Sequence, residues 1–557
     1  MNFKFLISNF QFPRFGSIIF LILISLMPLI PLLQAGLPIT HDGQDHVARI
    51  ANFYDSLSEG NLIPRWAGNL NWGYGHPILM FLYPLPSYAA SLFHYLGFSL
   101  VDSTKLVFAT AFIASGIAMY LWLREFLGEY SALTGAILYN FAPYRFVDLY
   151  VRGAIGEHVA FIFPPLILYF LLKLSKKYSH WYIAGGALSL AGLILSHNAI
   201  TLMFLPFIIL YGLYLIAVSK DKKLLSSIYS LVTLLGFGLS SFFLIPAFLE
   251  GRYTLRDIVA TTEYASRFVK PDQLLYGPWS FGGTGEFTVQ IGILNWILII
   301  GSLFMVRSLF RKDKKLFYVY LVVLAFFVGS LFLMLKESDF IWKIITTLQK
   351  FQFPWRFLSV SVFAAAVLGA FSIHGIRNEN IKKVILMIIV AFSILLTKDY
   401  GQAKDYLQKP EAFYTGIYES TTDTGESSPI WSVRFMEQRP KDTIEVIEGE
   451  AEIRKISRTS THHKYQIEAP FKSRVRENTL YFPGWKVYID GKEYKGVQFH
   501  DPDHRGLMTF YVLEGQHAID IKFEETKLRQ TSNAVSIVSF GLLGVIGFLG
   551  RFKLKIK

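Results

Sequence analysis

Long apolar stretches separated by short polar turns recur along most of the chain. A helix needs about 20 mostly apolar residues to cross a bilayer, and many windows of this sequence reach or approach that length. We therefore predict about twelve membrane-spanning helices. The predicted spans are residues 17–36, 104–123, 130–144, 156–173, 181–197, 199–218, 225–247, 289–307, 316–335, 355–374, 382–398 and 533–550.

Two apolar stretches near the N-terminus differ from ordinary spans. The first span continues to Leu37 with no small-residue cleavage site, which favours an uncleaved signal anchor over a signal peptide. Residues 78–98 are apolar enough to span, but the prolines within and beside them oppose one regular helix. We predict an interfacial or re-entrant segment on the outer membrane face. Both termini are then expected on the cytoplasmic side.

From about residue 440, apolar and polar positions alternate with a period of two. This pattern is typical of strands with one buried face, and the turns IDGKEY and LEGQH are typical of hairpins. We predict a small antiparallel, sandwich-like β-domain that follows a long irregular loop over residues 399–435. The predicted domains are a transmembrane domain (1–398, with outer loops 37–103 and 248–288), an extracytoplasmic β-rich domain (399–532), and a final helix with a basic tail (533–557).

Composition supports a membrane protein and excludes several kinds of chemistry. Of 557 residues, 52% are hydrophobic, 17% are charged and none is cysteine, whereas globular proteins average about 45–50% apolar and about 25% charged residues. Without cysteine, the chain has no disulfide scaffold, thiol nucleophile, thiolate zinc site or cysteine-ligated iron–sulfur cluster.

The net charge of +13 is explained by membrane topology rather than by nucleic-acid binding. Most of the excess Lys and Arg lies in short loops between predicted spans and in the tail RFKLKIK. Short basic loops mark the cytoplasmic side of a membrane protein. We therefore predict a multi-pass protein with no nucleic-acid partner. The basic loops are residues 173–177, 220–223, 307–315 and 377–383.

The first outer loop carries a dense group of ionisable residues. The sequence ITHDGQDHVARI contains His41, Asp42, Asp45, His46 and Arg49. Two carboxylates beside imidazoles suit the binding of a divalent cation or the removal of a proton from a hydroxyl. The structural alternative is a solvated loop in which the aspartates cap a helix.

A second polar cluster lies between the third and fourth predicted spans. The sequence NFAPYRFVDLYVRGAIGEHVAF contains Arg145, Asp148, Arg152, Glu157 and His158. An acid at a helix N-terminus is stabilised by the helix dipole, so a purely structural role stays open. Ionisable residues beside a span are nevertheless expensive and usually functional. The predicted topology places both clusters on the same membrane face.

Other polar groups are weaker candidates. Arg356, in QFPWRF, opens a span where proline and aromatic residues explain most of the motif, although a guanidinium there also suits phosphate. In the β-domain, the histidines at 462, 463, 500 and 504 suit a metal site, but exposed turn residues are the favoured interpretation.

Together these motifs resemble the GT-C superfamily of integral-membrane glycosyltransferases, which use polyprenyl-phosphate-linked sugars. The runs DHVARIANFYDSLSEGNLIPRW and GYGHPILMFLYPLPSY are similar to the first outer loop of bacterial members and, more distantly, of the oligosaccharyltransferase catalytic subunit. The run APYRFVDLYVRGAIGEH resembles that subunit's second outer loop, where an Asp-x-Glu motif binds metal. Here Glu157 matches the Glu, but Ile155 replaces the Asp. The run YFPGWKVYIDGKEY resembles the outer domain of lipoteichoic-acid glycosyltransferase-like proteins.

The resemblance implies an enzyme of the bacterial cytoplasmic (inner) membrane. It would transfer a sugar from a lipid-linked donor to an envelope glycan, lipid or protein, with an outer-loop aspartate as general base. The implied residues are Asp45, Asp42 and Glu157 for catalysis, Arg152, Arg356 and Arg49 for the donor phosphate, and Asp42, Glu157 and His158 for a divalent cation such as Mg²⁺ or Mn²⁺.

Two other functions stay open at this point. A transporter or flippase of lipid-linked saccharides would also place charges at the membrane face. Transporters usually carry midplane charges and paired broken helices, however, and few such features are visible here. The other alternative is a non-catalytic GT-C-like protein that assists envelope assembly, because the first acid of the Asp-x-Glu motif is missing.

Overall fold

The computed structural model describes residues 14–259, 263–282 and 287–550 of the chain. Apolar helices make up most of the first 400 residues, and strands follow them. The basic tail over 551–557, which contributed to the predicted topology, lies outside the described residues.

The helices follow the apolar stretches closely. Up to residue 218 they are α1 (Arg14–Leu26), α2 (Gly43–Ser58), α3 (Ile78–Phe81), α4 (Leu85–Tyr95), α5 (Leu100–Leu127), α6 (Glu129–Asn140), α7 (Pro143–Phe146), α8 (Ile155–Ala160), α9 (Phe163–Lys176), α10 (His180–Ser196) and α11 (Asn198–Val218). The others are α12 (Lys222–Leu249), α13 (Arg256–Val259), α14 (Pro271–Leu275), α15 (Ile293–Leu303), α16 (Val306–Lys312), α17 (Lys314–Met334), α18 (Asp339–Ile344), α19 (Thr346–Gln349), α20 (Leu358–His374), α21 (Glu379–Thr397), α22 (Ala412–Thr415) and α23 (Lys527–Leu549).

Within the described residues, nine helices are long and apolar enough to cross a membrane. The helices α15 and α16 are bent by 46° relative to each other, and counting them together as one span raises the number of possible spans to ten. Two other predicted spans correspond to shorter helices, since α10 has 17 residues and α6 has 12. The polytopic helical fold is therefore confirmed, whereas the total of twelve spans stays a prediction.

Residues 78–98 do not form one regular helix. They fold as the short helices α3 and α4, with a break before the second. The longer of the two, α4, has 11 residues, or about 16 Å at 1.5 Å per residue. That is about half of the ~30 Å hydrocarbon core, and the placement of this segment as interfacial or re-entrant stays a prediction.

Basic loops meet at one end of the helical bundle. Lys173 and Lys176, at the end of α9, form ion pairs with Glu125 near the end of α5, at 3.1 and 2.9 Å. Lys383, near the start of α21, lies 5.9 Å from the ring centre of Tyr130 at the start of α6. The two acidic clusters and the β-domain belong to the loops at the other end. That the basic end faces the cytoplasm stays a prediction.

The β-domain consists of two antiparallel sheets that share one core. A five-stranded sheet has the order β4-β5-β10-β7-β8 and a three-stranded sheet the order β3-β6-β9, while β1 and β2 form a separate pair. Tyr465 and Val487 of the first sheet and Phe510 of the second are buried together. The strands are β1 (Leu37–Pro38), β2 (Tyr406–Leu407), β3 (Ile444–Glu448), β4 (Glu452–Arg458), β5 (His462–Ala469), β6 (Ser473–Leu480), β7 (Trp485–Ile489), β8 (Lys492–Tyr494), β9 (Leu507–Val512) and β10 (Gly515–Phe523).

The β-domain packs against the end of the helical bundle that lies opposite the basic loops. Trp66, from the first outer loop, enters the β-domain core with its ring centre 5.4 Å from that of Trp485. Arg529, at the start of α23, is fully buried and its Nε lies 2.8 Å from Glu250 Oε2 at the end of α12. The first outer loop is therefore held between the helices and the sheets.

Candidate active site

The first outer loop docks directly onto the short segment that precedes α8. The backbone N–H groups of His41 and Asp42 donate to the carbonyl oxygens of residues 151 and 152, each at 2.9 Å. This approach needs Gly153, whose φ is +68°, because a Cβ atom there would lie 2.3 Å from Thr40 Oγ1. Two polar clusters that are distant in the sequence therefore meet.

Asp42 and Asp45 have different environments at the start of α2. Asp42 is exposed at the N-cap, but its side chain makes no capping hydrogen bond. Thr40 Oγ1 accepts from the Gly43 N–H instead, at 3.0 Å. Asp45 is half-buried, and its Oδ1 accepts from the Tyr418 hydroxyl at 2.9 Å. The capping alternative is therefore not realised by the Asp42 side chain.

Burial is the main influence on the Asp45 carboxyl. It raises the pKa of Asp45 above its ordinary value, while the hydrogen bond from Tyr418 and the charge of Arg49 oppose that shift. The negative charge of neighbouring Asp42 adds to the rise in the Asp45 pKa. A carboxylate with a raised pKa is a stronger proton acceptor than a solvated one.

Arg49 and His46 are used to hold α2 in place. Arg49 Nε donates to Thr422 Oγ1 at 3.2 Å, its Nη2 donates to the Thr422 carbonyl, and its Nη1 lies 3.0 Å from His46 Nδ1. Burial, followed by the charge of Arg49, lowers the pKa of His46 well below its ordinary value, so the imidazole is neutral. Contact of Arg49 with a donor phosphate stays a prediction.

A buried ion-pair network lies behind the docked loop. Arg152 Nη1 is 2.5 Å from Asp148 Oδ1 and 2.7 Å from Glu157 Oε2. Glu157 Oε1 accepts from the Tyr144 hydroxyl at 2.7 Å and from the Ser359 hydroxyl. Both Asp148 and Glu157 are fully buried. Glu157 is therefore surrounded by donors, an arrangement that suits positioning better than proton transfer.

A short π-helix, Val147–Arg152, carries two members of this network. Asp148 and Arg152 are four residues apart on it and pair with each other, and Gly153 ends it in the left-handed conformation. π-Helical turns are rare in proteins, and those that do occur are often found at functional sites.

The segment before α20 covers the network. The Arg152 guanidinium lies 4.5 Å from the ring centre of Trp355. Arg356 is half-buried; its Nη1 donates to the Phe351 carbonyl at 2.8 Å, and its Nε has no partner among the described residues. Of the three arginines predicted for the donor phosphate, Arg356 therefore keeps a buried donor unused.

Tyr83 lies between the two clusters, although the sequence analysis did not select it. Its ring stacks on His197 with centres 4.9 Å apart, and it covers Gly156, where a Cβ atom would approach the ring to 1.9 Å. Burial raises the pKa of Tyr83 to about 12, and the charges of Arg49, Asp42, Arg356 and Arg152 all act on it. Charged residues from both clusters and Arg356 therefore act electrostatically on this one tyrosine.

Residues 418–428, here called the strap, touch the first cluster and the segment before α20. The sequence analysis treated them as part of an irregular loop. Besides the bonds of Tyr418 and Thr422 already described, Ser428 Oγ lies 3.2 Å from His76 Nε2, and Gln352 donates to Glu426 at 2.7 Å. The signal for the strap in the sequence is the run YESTTDTGESS, which is dense in hydroxyl and carboxyl groups.

The predicted metal ligands are not brought together. Within the described ranges, no group of three or more His, Asp or Glu side chains is placed to hold a metal ion. Glu157 faces Arg152, whereas the ring of His158 packs against Phe108 and Phe112, with centres 5.3 and 5.9 Å apart. Adjacent residues on α8 point in different directions, so the set Asp42, Glu157 and His158 is not formed.

The paired histidines of the β-domain have partners of their own. His463 is buried in β5, with Nδ1 2.8 Å from Glu477 Oε1, and His462 Nε2 lies 2.8 Å from Asp520 Oδ1. Their interpretation as exposed turn residues is wrong, because both belong to a strand.

A protein-family model described as "6-pyruvoyl-tetrahydropterin synthase related domain; membrane protein" matches residues 79–402, more than half of the chain. The chain belongs to this family. The region shared with this membrane-protein family contains Arg152, Glu157 and Arg356 and begins after Asp45. The prediction of a membrane protein is thereby confirmed.

One relative of this family member is an uncharacterized protein of Lactococcus lactis subsp. cremoris (strain MG1363), 26% identical over 249 residues. The match covers 43% of this chain and 40% of the relative's length.

Three solved structures are similar to this family member. Arabinofuranosyltransferase AftD from Mycobacteria has a TM-score of 0.49 at 13% identity, over 71% of this chain and 27% of that one. ArnT from Cupriavidus metallidurans bound to undecaprenyl phosphate has a TM-score of 0.36 at 14% identity, over 72% of this chain and 68% of that one. The Archaeoglobus fulgidus oligosaccharyltransferase in complex with Zn and sulfate has a TM-score of 0.39 at 13% identity, over 73% of this chain and 58% of that one.

Proposed function

We propose that the protein is a membrane glycosyltransferase that moves a sugar from a polyprenyl-phosphate-linked donor to an envelope acceptor. The observation that carries this proposal is the docking of the Asp42–Asp45 loop on residues 151 and 152. It joins an exposed carboxylate, a half-buried carboxylate and a buried arginine–acid network at one end of a bundle of spanning helices. Such a set can activate a hydroxyl beside a membrane-borne phosphate.

Asp45 is the proposed general base. Its carboxylate takes the proton from the acceptor hydroxyl while the hydroxyl oxygen attacks the anomeric carbon of the donor. The bond between that carbon and the phosphate oxygen breaks, and polyprenyl phosphate leaves with the electron pair. The configuration at the anomeric carbon is inverted. Tyr418 fixes the orientation of the base through its 2.9 Å hydrogen bond. Exposed Asp42 is placed to receive the acceptor first.

The leaving phosphate is assigned to Arg356. This side chain keeps an unpartnered buried Nε, whereas Arg152 is already paired with two carboxylates. An arginine donor shortens and strengthens a hydrogen bond to phosphate because both partners are charged. Arg152 and Glu157 then act as positioning residues that hold the docking loop in place. A divalent cation such as Mg²⁺ or Mn²⁺ stays a prediction.

The test is Asp45→Asn in purified protein in lipid nanodiscs, with Asp42→Asn measured beside it. Loss of a general base slows a reaction by about 10²–10⁴-fold, and we expect that loss for Asp45→Asn. The measurement is the release of polyprenyl phosphate from a panel of labelled polyprenyl-phosphate hexoses and pentoses. Asp55→Asn, on the same helix but without described contact to either cluster, is the matched control and should keep full activity.

Two results would reject the proposal. The first is full release by well-folded Asp42→Asn and Asp45→Asn proteins. The second is movement of the labelled lipid between leaflets without cleavage, which would identify a transporter. If no donor of the panel is either cleaved or moved between leaflets, the result would favour the non-catalytic alternative.

A further inference from the structure

A small crevice opens between α6, α15 and α21, at the same end of the bundle as the proposed active site. Its internal volume is about 60 Å³, which is room for about four water-sized groups. A sugar ring does not fit in such a space, but a hydroxyl with its neighbouring carbons does. The polar residues that line it are Gln290, Asn295, Ser393, Thr397 and Tyr400.

Two buried polar atoms of the crevice lack a partner. Asn295 and Ser393 are only 4% and 3% exposed. Asn295 Nδ2 donates to the Ile291 carbonyl at 2.9 Å, but Asn295 Oδ1 and Ser393 Oγ make no hydrogen bond within the part of the chain that the structure describes. An unsatisfied buried polar atom costs about 1–3 kcal/mol. Two of them in one crevice indicate a ligand that supplies a hydroxyl.

The rim of the crevice is apolar and exposed. Tyr276, Ile293 and Leu396 line it and are 57%, 46% and 42% exposed. The last two belong to helices that are predicted spans, where exposed apolar side chains contact lipid tails. The described lining residues include no Asp, Glu, Lys, Arg or His. An ionised headgroup would lose its hydration there without gaining a counter-charge.

We infer that this crevice binds an uncharged, hydroxyl-bearing lipid of the diacylglycerol class. The lipid hydroxyl donates to Asn295 Oδ1 and accepts from Ser393 Oγ, and the acyl chains leave past Ile293 and Leu396 into the bilayer. Water would satisfy the same two atoms, but it would not account for the apolar rim. The inference rests on the crevice itself and not on the proposed transferase activity.

The experiment uses the full-length protein in nanodiscs with a diacylglycerol that carries a photoreactive diazirine in one acyl chain. The comparison probe is phosphatidic acid with the same chains, which differs by its charged phosphate. We expect diacylglycerol to label peptides of α15 and α21 and phosphatidic acid to label them much less. Ser393→Phe fills the crevice and should bring labelling to background. Leu395→Phe, at a 58% exposed neighbour outside the crevice, should leave it unchanged.

A second variant guards against misfolding of Ser393→Phe. Asn295→Leu keeps the branched shape of the side chain and removes the acceptor, and the loss of one hydrogen bond should weaken labelling about two- to tenfold. Equal labelling by both lipids overturns the inference. The inference is also overturned if the Asn295→Leu protein has the melting temperature of the wild type and is labelled to the same extent.

Discussion

At the scale of single residues, Asp45 shows two opposing influences on one carboxyl. Burial raises its pKa because the charged form loses hydration, and the Tyr418 hydroxyl lowers it by bonding to that charged form. A base must be ionised to act. The net rise therefore predicts that kcat/KM falls, as the pH is lowered, at a higher pH than it would with a solvent-exposed aspartate.

Tyr418→Phe tests this account of the base. Removing the hydroxyl removes the hydrogen bond that lowers the Asp45 pKa, so this pKa rises further and the acid limb of the kcat/KM profile moves to higher pH. A pH series of donor cleavage measures the shift. Tyr414→Phe is the control, since that buried hydroxyl has no partner among the described residues. An acid limb that stays in place in Tyr418→Phe would remove Asp45 from the role of base.

Glu157 illustrates the energetic weight of a buried ion pair. Glu157→Gln leaves Arg152 with one carboxylate instead of two, and breaking a buried pair costs about 3–5 kcal/mol. Chemical unfolding in detergent should show a loss of that order. Glu125→Gln is the counterpart near the surface, because that acid pairs with half-buried Lys173 and exposed Lys176 at the basic end, and its loss should cost about 1 kcal/mol or less. Equal losses in the two variants would contradict the structural role assigned to Glu157.

At the scale of elements, the contact between the first outer loop and the π-helix depends on Gly153. Gly153→Ala adds a Cβ atom 2.3 Å from Thr40 Oγ1, so the loop must move away and carry Asp42 and Asp45 with it. We expect transfer activity to fall at least about tenfold, as small misplacements of catalytic groups do.

Gly60→Ala separates this effect from backbone strain. Gly60 also has a positive φ, of +94°, but a Cβ atom there meets nothing within 4 Å. Both alanines carry the cost of that backbone conformation, about 1–2 kcal/mol, and only one carries the clash. Similar activity in the two variants would show that the docking contact does not matter.

The elements themselves were largely predictable from the sequence. Apolar runs of spanning length predicted helices such as α5, and alternation with a period of two predicted strands such as β5. Both patterns depend on neighbouring residues. Tyr83 and the strap were missed because their importance comes from contacts with distant residues. The predicted metal set failed for a related reason, since spacing did not reveal that Glu157 and His158 point apart.

At the scale of the whole molecule, the predicted topology can be tested directly because the chain contains no cysteine. Lys222→Cys lies at the basic end and Lys464→Cys in β5, and both positions are exposed. In intact cells with a permeabilised outer envelope, a membrane-impermeant maleimide should label only Lys464→Cys. Opening the inner membrane should then expose Lys222→Cys, and the reverse order would invert the topology.

The pairing between α2 and the strap has a consequence for how the protein is made. Asp45 and the Tyr418 hydroxyl that binds it are 373 positions apart in the sequence, and Glu157 and its partner Ser359 are 202 positions apart. During synthesis the acidic residues therefore leave the ribosome long before their partners exist. Nascent chains that stop short of the strap would present unfinished polar surfaces to the membrane, where quality-control proteases can recognise them. The centre becomes complete only after nearly all of the helical bundle has been inserted.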